Sequence, residues 1–329
     1  MRWRPRLPPP DCVKVLICCD HPAGFTPDKD TTRAIIESGW TRGHAIHWVD
    51  KSALAWFDGA VQAHAQRLEA PGPSPDGWYS AGVAQWTAAA GFDAVLVRSD
   101  PPVDLAYQRM CQLLALLPPG KVWNSPQALL THNEKLSALH FAHWMVDSIV
   151  ANDDNVHAHF AKNHPKGVAK SLDSLGGEGV VAWGGSYGSA AQAHARAAGF
   201  GPQAIGRALT MGQSWIREVY AGDKRVIMVG GNFAGVIVRV PQAGEFRGNI
   251  HLGGQVEATT LTERERAIVA DVGPWLRREG IVLAGLDLVG ECLTEINITS
   301  PTGFREIERL TPDRPSLRFW EAVEGHNRT

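Results

Sequence analysis

Two carboxylates and an amide lie close together between Asp287 and Asn297. Glu295 and Asn297 are two residues apart, so on a β-strand their side chains share one face. A turn at Gly290–Glu291 predicts a hairpin that brings Asp287 onto the neighbouring strand, within reach of that face. Carboxylate and amide oxygens are hard ligands of the kind that Mg²⁺ prefers. The pattern predicts a metal site, with an exposed polar hairpin face as the alternative.

A glycine-rich turn at Ser174–Gly179 follows a strand-like segment that carries Lys170. Glycine occupies three of the last four positions of this turn. Uncovered backbone N–H groups of this kind can wrap a phosphate. The Gly-Lys-Ser/Thr sequence of a P-loop is absent, and an ordinary structural turn is the alternative. The upstream lysine favours the phosphate interpretation.

Arginines form the third feature. Arg225 precedes one predicted strand, Arg239 ends the next, and Arg247 lies in a glycine-rich segment. A guanidinium pairs bidentately with phosphate or carboxylate, although any single arginine is more typical of a solvated surface. Combined with the metal site and the glycine turn, these cations predict phosphoryl transfer from a magnesium-bound nucleotide.

The elements that position these residues differ between the two halves of the chain. Strand-like segments at Val13–Cys19, His44–Val49 and Ala94–Val97, with a helix at Thr31–Gly39, predict an α/β unit with a largely parallel sheet. Ligands gather beyond the carboxyl ends of such strands. The polar segments after the first strand and after Val97 are therefore candidate site loops.

From about residue 126 onward the pattern favours α+β structure with antiparallel pairing. The predicted elements are a helix at Asn133–Met145, a strand at Gly167–Lys170, and two hairpins, Val226–Val229 with Val236–Val240 and Leu283–Val289 with Cys292–Thr299. Two different sheet types predict a cleft between domains, where small ligands commonly bind.

Composition excludes several classes of function. The 329 residues include 34 acidic and 32 basic side chains, which gives no electrostatic case for a nucleic-acid partner. No apolar run is long enough to span a membrane. The basic, proline-rich start, Met1–Pro10, lacks the apolar stretch of a secretory signal and is expected to be a loose tail.

The cysteines and histidines suggest neither a disulfide framework nor a metal cluster. Five cysteines without a Cys-x-x-Cys spacing predict buried, reduced thiols and a reducing compartment, the cytoplasm. The close histidine pairs, His140 with His143 and His157 with His159, have no cysteine or carboxylate at ligand spacing. They are expected on solvated helix surfaces.

The sequence resembles the prokaryotic glutathione synthetases, members of the ATP-grasp superfamily, over roughly residues 12 to 310. The segments that carry the resemblance are Arg98–Pro102, Asn133–Leu136, Lys170–Asp173 with Gly176 and Gly177, Gly222–Val226, Gly244–Asn249, Gly253–Gly254, Gly285–Asp287 and Leu293–Glu308. The implied fold is α/β and α+β: an ATP-grasp fold with an N-terminal Rossmann-like, parallel-sheet domain. The expected divisions are a tail at 1–10, an N-terminal substrate domain at 11–125 and an ATP-grasp domain at 126–329, with its lid at about 126–213 and its nucleotide and metal subdomain at about 214–315.

The resemblance also implies a role for each matching residue. The nucleotide would be bound by Lys135, Lys170, Gly176, Gly177, Gly179, Ser214, Trp215, Ile216 and Asp223. The ligands of Mg²⁺ or Mn²⁺ would be Asp287, Glu295 and Asn297, and the catalytic cations would be Lys170, Arg225 and Arg239. The substrates would be bound by Asp30, Thr31, Asp100, Arg247, Asn249, Thr299, Ser300, Pro301, Thr302 and Gly303.

The implied reaction joins γ-glutamylcysteine to glycine through an acyl phosphate, with ATP as co-substrate and small molecules as the partners. A homotetramer is implied as well. His251 and Leu252 stand where the family usually has two alanines. This departure motivates an alternative, another ATP-grasp carboxylate–amine ligase with a related dipeptide or a different amine. A non-catalytic nucleotide-binding protein is the third hypothesis, and the complete metal triad argues against it.

Overall fold

The structure is a computed structural model that describes residues 12–71, 77–174, 177–199, 208–242, 245–247 and 254–326. Some of the sequence-based expectations concern residues outside these ranges. They are the tail at Met1–Pro10 and the site residues Gly176, Asn249, His251 and Leu252.

The N-terminal part is built on an eight-stranded sheet. Its strands are β1 (Lys14–Cys18), β2 (Ala45–Val49), β3 (Leu54–Phe57), β4 (Ala60–Glu69), β5 (Ser80–Ala81), β6 (Gln85–Ala88), β7 (Ala94–Val97) and β8 (Val122–Trp123). The path is β3-β4-β2-β1-β7-β8, with β5 and β6 also paired to β4. Strands β2, β1, β7 and β8 are parallel, which confirms the predicted parallel core. The antiparallel strands around β4 were not predicted.

Helices cover this sheet and connect it to the end of the chain. They are α1 (Thr31–Thr41), α2 (Leu105–Leu114) and α3 (Pro126–Thr131), joined by the C-terminal helix Pro315–His326. Asp30 caps α1, because its Oδ1 accepts a hydrogen bond from the backbone N–H of Arg33 at 2.7 Å. A Cβ at Gly39 would lie 2.6 Å from the ring of Trp320, so this glycine permits the close approach of the two helices.

The middle of the chain forms a four-stranded antiparallel sheet with two helices. The elements are β9 (Ser148–Ala151), α4 (Asp154–Asn163), β10 (Gly167–Ser171), β11 (Val180–Trp183), α5 (Ala190–Ala198) and β12 (Thr210–Ser214). The strand order is β11-β10-β12-β9. Strand β10 matches the prediction to within one residue, and it carries Lys170 near its carboxyl end.

The predicted helix at Asn133–Met145 is wrong over its first turn. The helical part is a 3₁₀ segment at Ser137–Trp144 with a kink at Phe141. Asn133 Oδ1 accepts from the backbone N–H groups of Lys135 and Leu136, at 3.0 and 3.2 Å. An asparagine side chain that binds nearby backbone competes with helix formation, and Lys135 therefore lies in a turn.

The last third forms a five-stranded antiparallel sheet with three helices. The elements are β13 (Asp223–Val229), β14 (Asn232–Val240), β15 (Gln255–Ala258), α6 (Glu263–Arg278), β16 (Leu283–Val289), β17 (Cys292–Asn297), α7 (Phe304–Leu310) and α8 (Pro315–His326). The strand order is β15-β14-β13-β16-β17. Both predicted hairpins are confirmed, and Leu286 and Ile296 bury the apolar face as expected.

Two expectations about single residue types need correction. Cys18, Cys19 and Cys111 are buried, but Cys12 is exposed and Cys292 is partly exposed. His157 does not lie on a solvated surface: it is buried and stacks on His194 with ring centroids 4.0 Å apart. The inner face of α4 packs against α5, and His157 lies on that face. Within the described ranges, no helix combines the length and apolar character needed to cross a lipid bilayer.

Candidate active site

A cavity of about 820 Å³ opens where the three sheets meet. Most of the described residues that the sequence assigned to a site lie on its wall. They are Asp100, Lys135, Lys170, Gly177, Ser214, Trp215, Ile216, Asp223, Arg225, Arg239, Arg247, Asp287, Glu295, Asn297, Ser300, Pro301 and Thr302. The structure thus brings together side chains that are up to about 200 residues apart in sequence.

Asp287 and Glu295 are direct cross-strand neighbours on β16 and β17. Asn297, on the same strand as Glu295, donates from Nδ2 to the carbonyl of Gly285 at 3.1 Å. This hydrogen bond turns the amide so that Oδ1 is the atom it offers to a ligand. In the described ranges, no three His, Cys, Asp or Glu side chains form a metal-binding group, so a metal here would take its third side-chain oxygen from the amide.

Two arginines hold Asp287. Arg225 donates to both carboxylate oxygens, and Nη2 of Arg239 lies 3.1 Å from Oδ2. Arg239 also donates to both oxygens of Asp223, at 2.6 and 2.9 Å. Burial alone would raise the pKa of Asp287, but the two guanidinium groups hold it well below its usual range. A buried chain of alternating charges therefore lies along β13, β14 and β16.

Two lysines approach the same region from the middle sheet and the turn before it. Lys170 Nζ lies 3.6 Å from Glu295 Oε1. Lys135 Nζ donates to the carbonyl of Ser174, at the start of the glycine turn, at 2.7 Å. Burial lowers the pKa of Lys170, and the nearby Glu295 opposes that shift. Lys135 therefore contacts the start of the glycine turn, and Lys170 lies beside the predicted metal group.

The other end of the cavity is apolar. Strand β12 leads into the segment Ser214–Ile216, which the resemblance assigned to the nucleotide base. The cavity wall also carries the apolar side chains of Val168, Val180, Val219 and Val289. A flat heterocycle fits such a slot, since its faces can be buried while exposed backbone groups recognise its edge.

Several predicted substrate residues hold elements together and are not on the cavity wall. Thr31 Oγ1 accepts from the backbone N–H groups of Gly303 and Phe304, at 3.1 and 3.3 Å. Asp30 caps α1, as described above. Thr299 and Gly303 are likewise absent from the wall, as is Gly179, which was predicted to bind the nucleotide. Asp100 is on the wall, and its N–H binds Asp20 Oδ2 at 2.7 Å, which joins the loops after β1 and β7.

Sequence reasoning missed two buried carboxylates on the wall. Glu134 Oε1 accepts from the backbone N–H groups of Ile298 and Thr299, both at 3.1 Å. Burial raises the pKa of Glu134, and burial also raises the pKa of Glu306. Both residues lie in segments that carry the family resemblance, but nothing in their local spacing distinguishes them from surface carboxylates.

Comparison with known proteins agrees with this geometry. The description "Prokaryotic glutathione synthetase, N-terminal domain" matches residues 13–129, and "Prokaryotic glutathione synthetase, ATP-grasp domain" matches residues 134–312. The chain belongs to the prokaryotic glutathione synthetase family. A glutathione synthetase of Neisseria meningitidis serogroup A is 37% identical over 320 residues, covering 94% of this chain and 98% of the relative. One from Parasynechococcus marenigrum is 36% identical over 307 residues, covering 91% and 94%.

Solved structures show the same ATP-grasp fold at low sequence identity. The D-cycloserine synthetase DcsG superimposes with a TM-score of 0.65 at 13% identity, over 95% of this chain and 99% of that one. The D-alanyl-alanine synthetase A of Vibrio cholerae gives a TM-score of 0.55 at 12% identity, over 97% and 99%.

Membership of the prokaryotic glutathione synthetase family fixes the class of chemistry. The chain is an ATP-dependent carboxylate–amine ligase, and the comparisons support glutathione synthetase as its activity. The family uses ATP and a divalent metal, and its substrates are small molecules.

Proposed function

We propose that the residues of this cleft bind ATP, Mg²⁺ and γ-glutamylcysteine together, and that the cleft then admits glycine to form glutathione. One observation carries the proposal: Lys135, Lys170 and the group Asp287, Glu295 and Asn297 share the cavity that Arg225 and Arg239 line. A nucleotide-binding protein without a reaction to catalyse has no need of both cation clusters and the oxygen donors. The division at residues 125 and 126 is proposed to separate the substrate domain from the ATP-grasp domain.

The nucleotide is proposed to lie across the middle and last sheets. Its base enters the apolar slot beside Ser214, Trp215 and Ile216, and its phosphates lie between Lys135 and Lys170. Charged hydrogen bonds to phosphate are about twice as strong as neutral ones, and both ammonium groups are buried. The glycine turn lies next to Lys135 and adds backbone donors to the same phosphates.

The donor set fits a hard divalent cation. Asp287 is ionised because two arginines lower its pKa, and a carboxylate oxygen can accept more than one partner. Glu295 and Asn297 supply carboxylate and amide oxygens from one strand. These would be the side chains that hold the ion, and all-oxygen donors favour Mg²⁺ over softer metals. A bound cation would neutralise the charge of the terminal phosphates.

The cationic side chains orient the reacting groups. The dipeptide carboxylate attacks the γ-phosphorus, the bond to ADP breaks, and an acyl phosphate forms. Arg225 and Arg239 lie beside the carboxylates of β13 and β16, where they stabilise the negative charge that develops during this transfer. The glycine amine then attacks the acyl carbon, phosphate leaves, and the amine loses a proton.

The dipeptide is proposed to lie between the N-terminal sheet and the end of β17. Asp100 lines the cavity together with Ser300, Pro301 and Thr302. Asp100 is positioned to accept from an ammonium group, and backbone groups of residues 300–302 recognise the peptide. Arg247 lines the same cavity and is proposed to contact substrate as well. By family resemblance, we also propose a cytoplasmic homotetramer, which light scattering of the purified protein would test.

The experiment that tests the function is a product assay. Purified protein is incubated with ATP, Mg²⁺ and γ-glutamylcysteine, with and without glycine, and ADP and peptide products are measured by mass spectrometry. The expected result is a glutathione mass that appears only when glycine and Mg²⁺ are both present. ADP formation with a different amine, and none with glycine, would refute the assignment of glycine and retain the ligase chemistry.

A further inference from the structure

Phe246 is a cavity residue that the sequence did not assign to the site. It is half-buried and lines the cavity wall. Its ring centroid is 5.5 Å from that of Trp215 and 6.1 Å from that of Tyr187. At these spacings tilted aromatic pairs attract each other beyond the effect of buried area. Phe246 is therefore packed against the segment proposed to receive the nucleotide base.

Trp215 is a fixed support, because three other groups hold its indole ring. Lys166 Nζ lies 3.8 Å from the ring centroid, a cation–π distance. The rings of Tyr187 and Tyr220 lie 6.2 and 6.0 Å away. The backbone N–H of Trp215 also donates to the carbonyl of Lys166 at 3.1 Å. Because the indole ring of Trp215 is contacted on several sides, its position is restricted, and Phe246 packs against a fixed surface.

The residue next to Phe246 reaches the other end of the nucleotide site. Arg247 Nη1 donates to the carbonyl of Gly177, in the glycine turn, at 3.3 Å. Its Nε and Nη2 donate to the carboxylate of Glu245, at 3.1 and 2.7 Å. This hydrogen bonding lowers the pKa of Glu245 to about 2, so the pair is ionised at neutral pH. Two consecutive side chains thus contact Trp215 and the glycine turn.

We propose that Phe246 is a positioning residue that acts through Arg247. Its ring, packed on Trp215, fixes the backbone at residue 246 and so fixes the starting point of the long Arg247 side chain. A flexible arginine loses conformational freedom when it binds, and an anchored backbone reduces that loss. The inference rests on the proposed function, because it takes Arg247 as a substrate-binding cation. Direct stacking of Phe246 on the nucleotide base is the competing role.

A double-mutant cycle separates these two roles. The variants are Phe246→Ala, Arg247→Ala, the double variant, and Phe246→Tyr as the conservative replacement. Phe233→Ala is the matched control, since Phe233 is an exposed phenylalanine on β14 that does not line the cavity. Initial rates of glutathione formation give kcat and the KM values for ATP and for γ-glutamylcysteine.

If Phe246 acts through Arg247, Phe246→Ala lowers kcat/KM for the dipeptide by about three- to tenfold, and Phe246→Tyr and Phe233→Ala stay within about twofold of the unchanged protein. The double variant then equals Arg247→Ala, because the positioned group is already absent. Additive losses, or a loss confined to the KM for ATP, would overturn the inference in favour of base stacking. An unaffected Phe246→Ala variant would overturn both roles.

The same data keep this inference separate from the proposed function. If Arg247→Ala matches the unchanged protein, the substrate role of Arg247 in the proposed function fails. If Arg247→Ala is impaired but the losses add, only the positioning role of Phe246 fails. Absence of glutathione formation by the unchanged protein would refute the proposed function itself, before any variant is compared.

Discussion

Arg225 donates to both carboxylate oxygens of Asp287, through Nε at 2.6 Å and Nη2 at 3.0 Å. Both side chains are buried, and Arg239 contacts the same carboxylate from β14. Asp287 therefore has two tasks: it neutralises two arginines, and it is a proposed ligand of the divalent metal. A change at this carboxylate should therefore affect both the stability of the site and its chemistry.

Asp287→Asn is expected to affect stability as well as activity. The change leaves Arg239 with Asp223 as its carboxylate partner and removes the carboxylate that Arg225 contacts. Breaking a buried ion pair on one side costs about 3 kcal/mol or more. Urea denaturation should show a loss of this size, together with the loss of ADP formation. The control is Asp271→Asn, whose ion pair with His143 is exposed and should contribute less than about 1 kcal/mol. Equal stability of the two variants would contradict the role given to Asp287.

Glu295→Gln is expected to separate chemistry from folding. Glu295 is only partly buried, and its described ion-pair partner is Lys170 at 3.6 Å, so the fold should survive. Replacing a charged metal ligand by a neutral amide should lower ADP formation by about 100-fold or more. Circular dichroism and a coupled ADP assay test the two parts. Glu291→Gln, in the turn of the same hairpin, is the control and should leave turnover unchanged. Near-normal ADP release by Glu295→Gln would refute the metal assignment.

The hairpin that carries the metal group could be predicted because its signals are local. Alternating apolar residues set which face is buried, and a two-residue turn sets the register. In a regular register this turn would pair Asp287 with Thr294. A β-bulge between Asp287 and Leu288 shifts the register by one residue and places Asp287 opposite Glu295, and that bulge was not predicted. The same reasoning would have found the hairpin of β3 and β4. Asp58 and Gly59 both have positive φ, and an Asp-Gly pair is the typical signal of that turn.

The parts that escaped prediction depend on contacts between distant segments. Glu134 binds backbone groups 164 and 165 residues further along the chain, and no local pattern marks such a contact. The predicted helix around Lys135 failed for a different reason. A single side chain, Asn133, binds two backbone N–H groups and delays the start of the helical segment. Hydrophobic periodicity reports burial, and it does not report hydrogen bonds of this kind.

Lys170 should make the affinity for ATP decrease at alkaline pH. Burial lowers the pKa of its ammonium group in the nucleotide-free protein. The charged form binds phosphate, so ATP affinity should fall as the pH rises through this lowered pKa, earlier than for an ordinary lysine. Calorimetric titrations between about pH 7 and pH 10 would measure the fall, within the range where lysine titrates.

Lys170→Arg provides the control for this effect. A guanidinium remains charged throughout that range, so the alkaline loss of affinity should disappear, even if the larger side chain binds ATP more weakly at every pH. The same alkaline loss in both proteins would show that a group other than Lys170 controls ATP binding.

Ionised Glu134 should lower the free energy of unfolding at neutral pH, and Glu134→Gln should remove this destabilisation. Burial raises the pKa of Glu134 in the folded chain, above its value in the unfolded chain. A carboxyl of this kind stabilises the folded state fully only below its unfolded pKa, about 4.3. That contribution is lost as the pH rises through the higher, folded pKa. Glutamine keeps an oxygen that can accept from the N–H groups of Ile298 and Thr299 and does not titrate.

The midpoint of thermal unfolding, followed from about pH 4 to pH 8, tests this. The midpoint of Glu134→Gln should rise above that of the unchanged protein as the pH increases. The expected rise is about 3 °C for each kcal/mol of destabilisation that the variant removes. Glu178→Gln is the control, because Glu178 is a cavity residue whose side chain is exposed, and its difference should stay constant. A difference for Glu134→Gln that shrinks with rising pH would mean that Lys135 beside it keeps Glu134 ionised. The carboxylate would then stabilise the turn that positions this lysine, and the raised pKa assigned to Glu134 would be wrong.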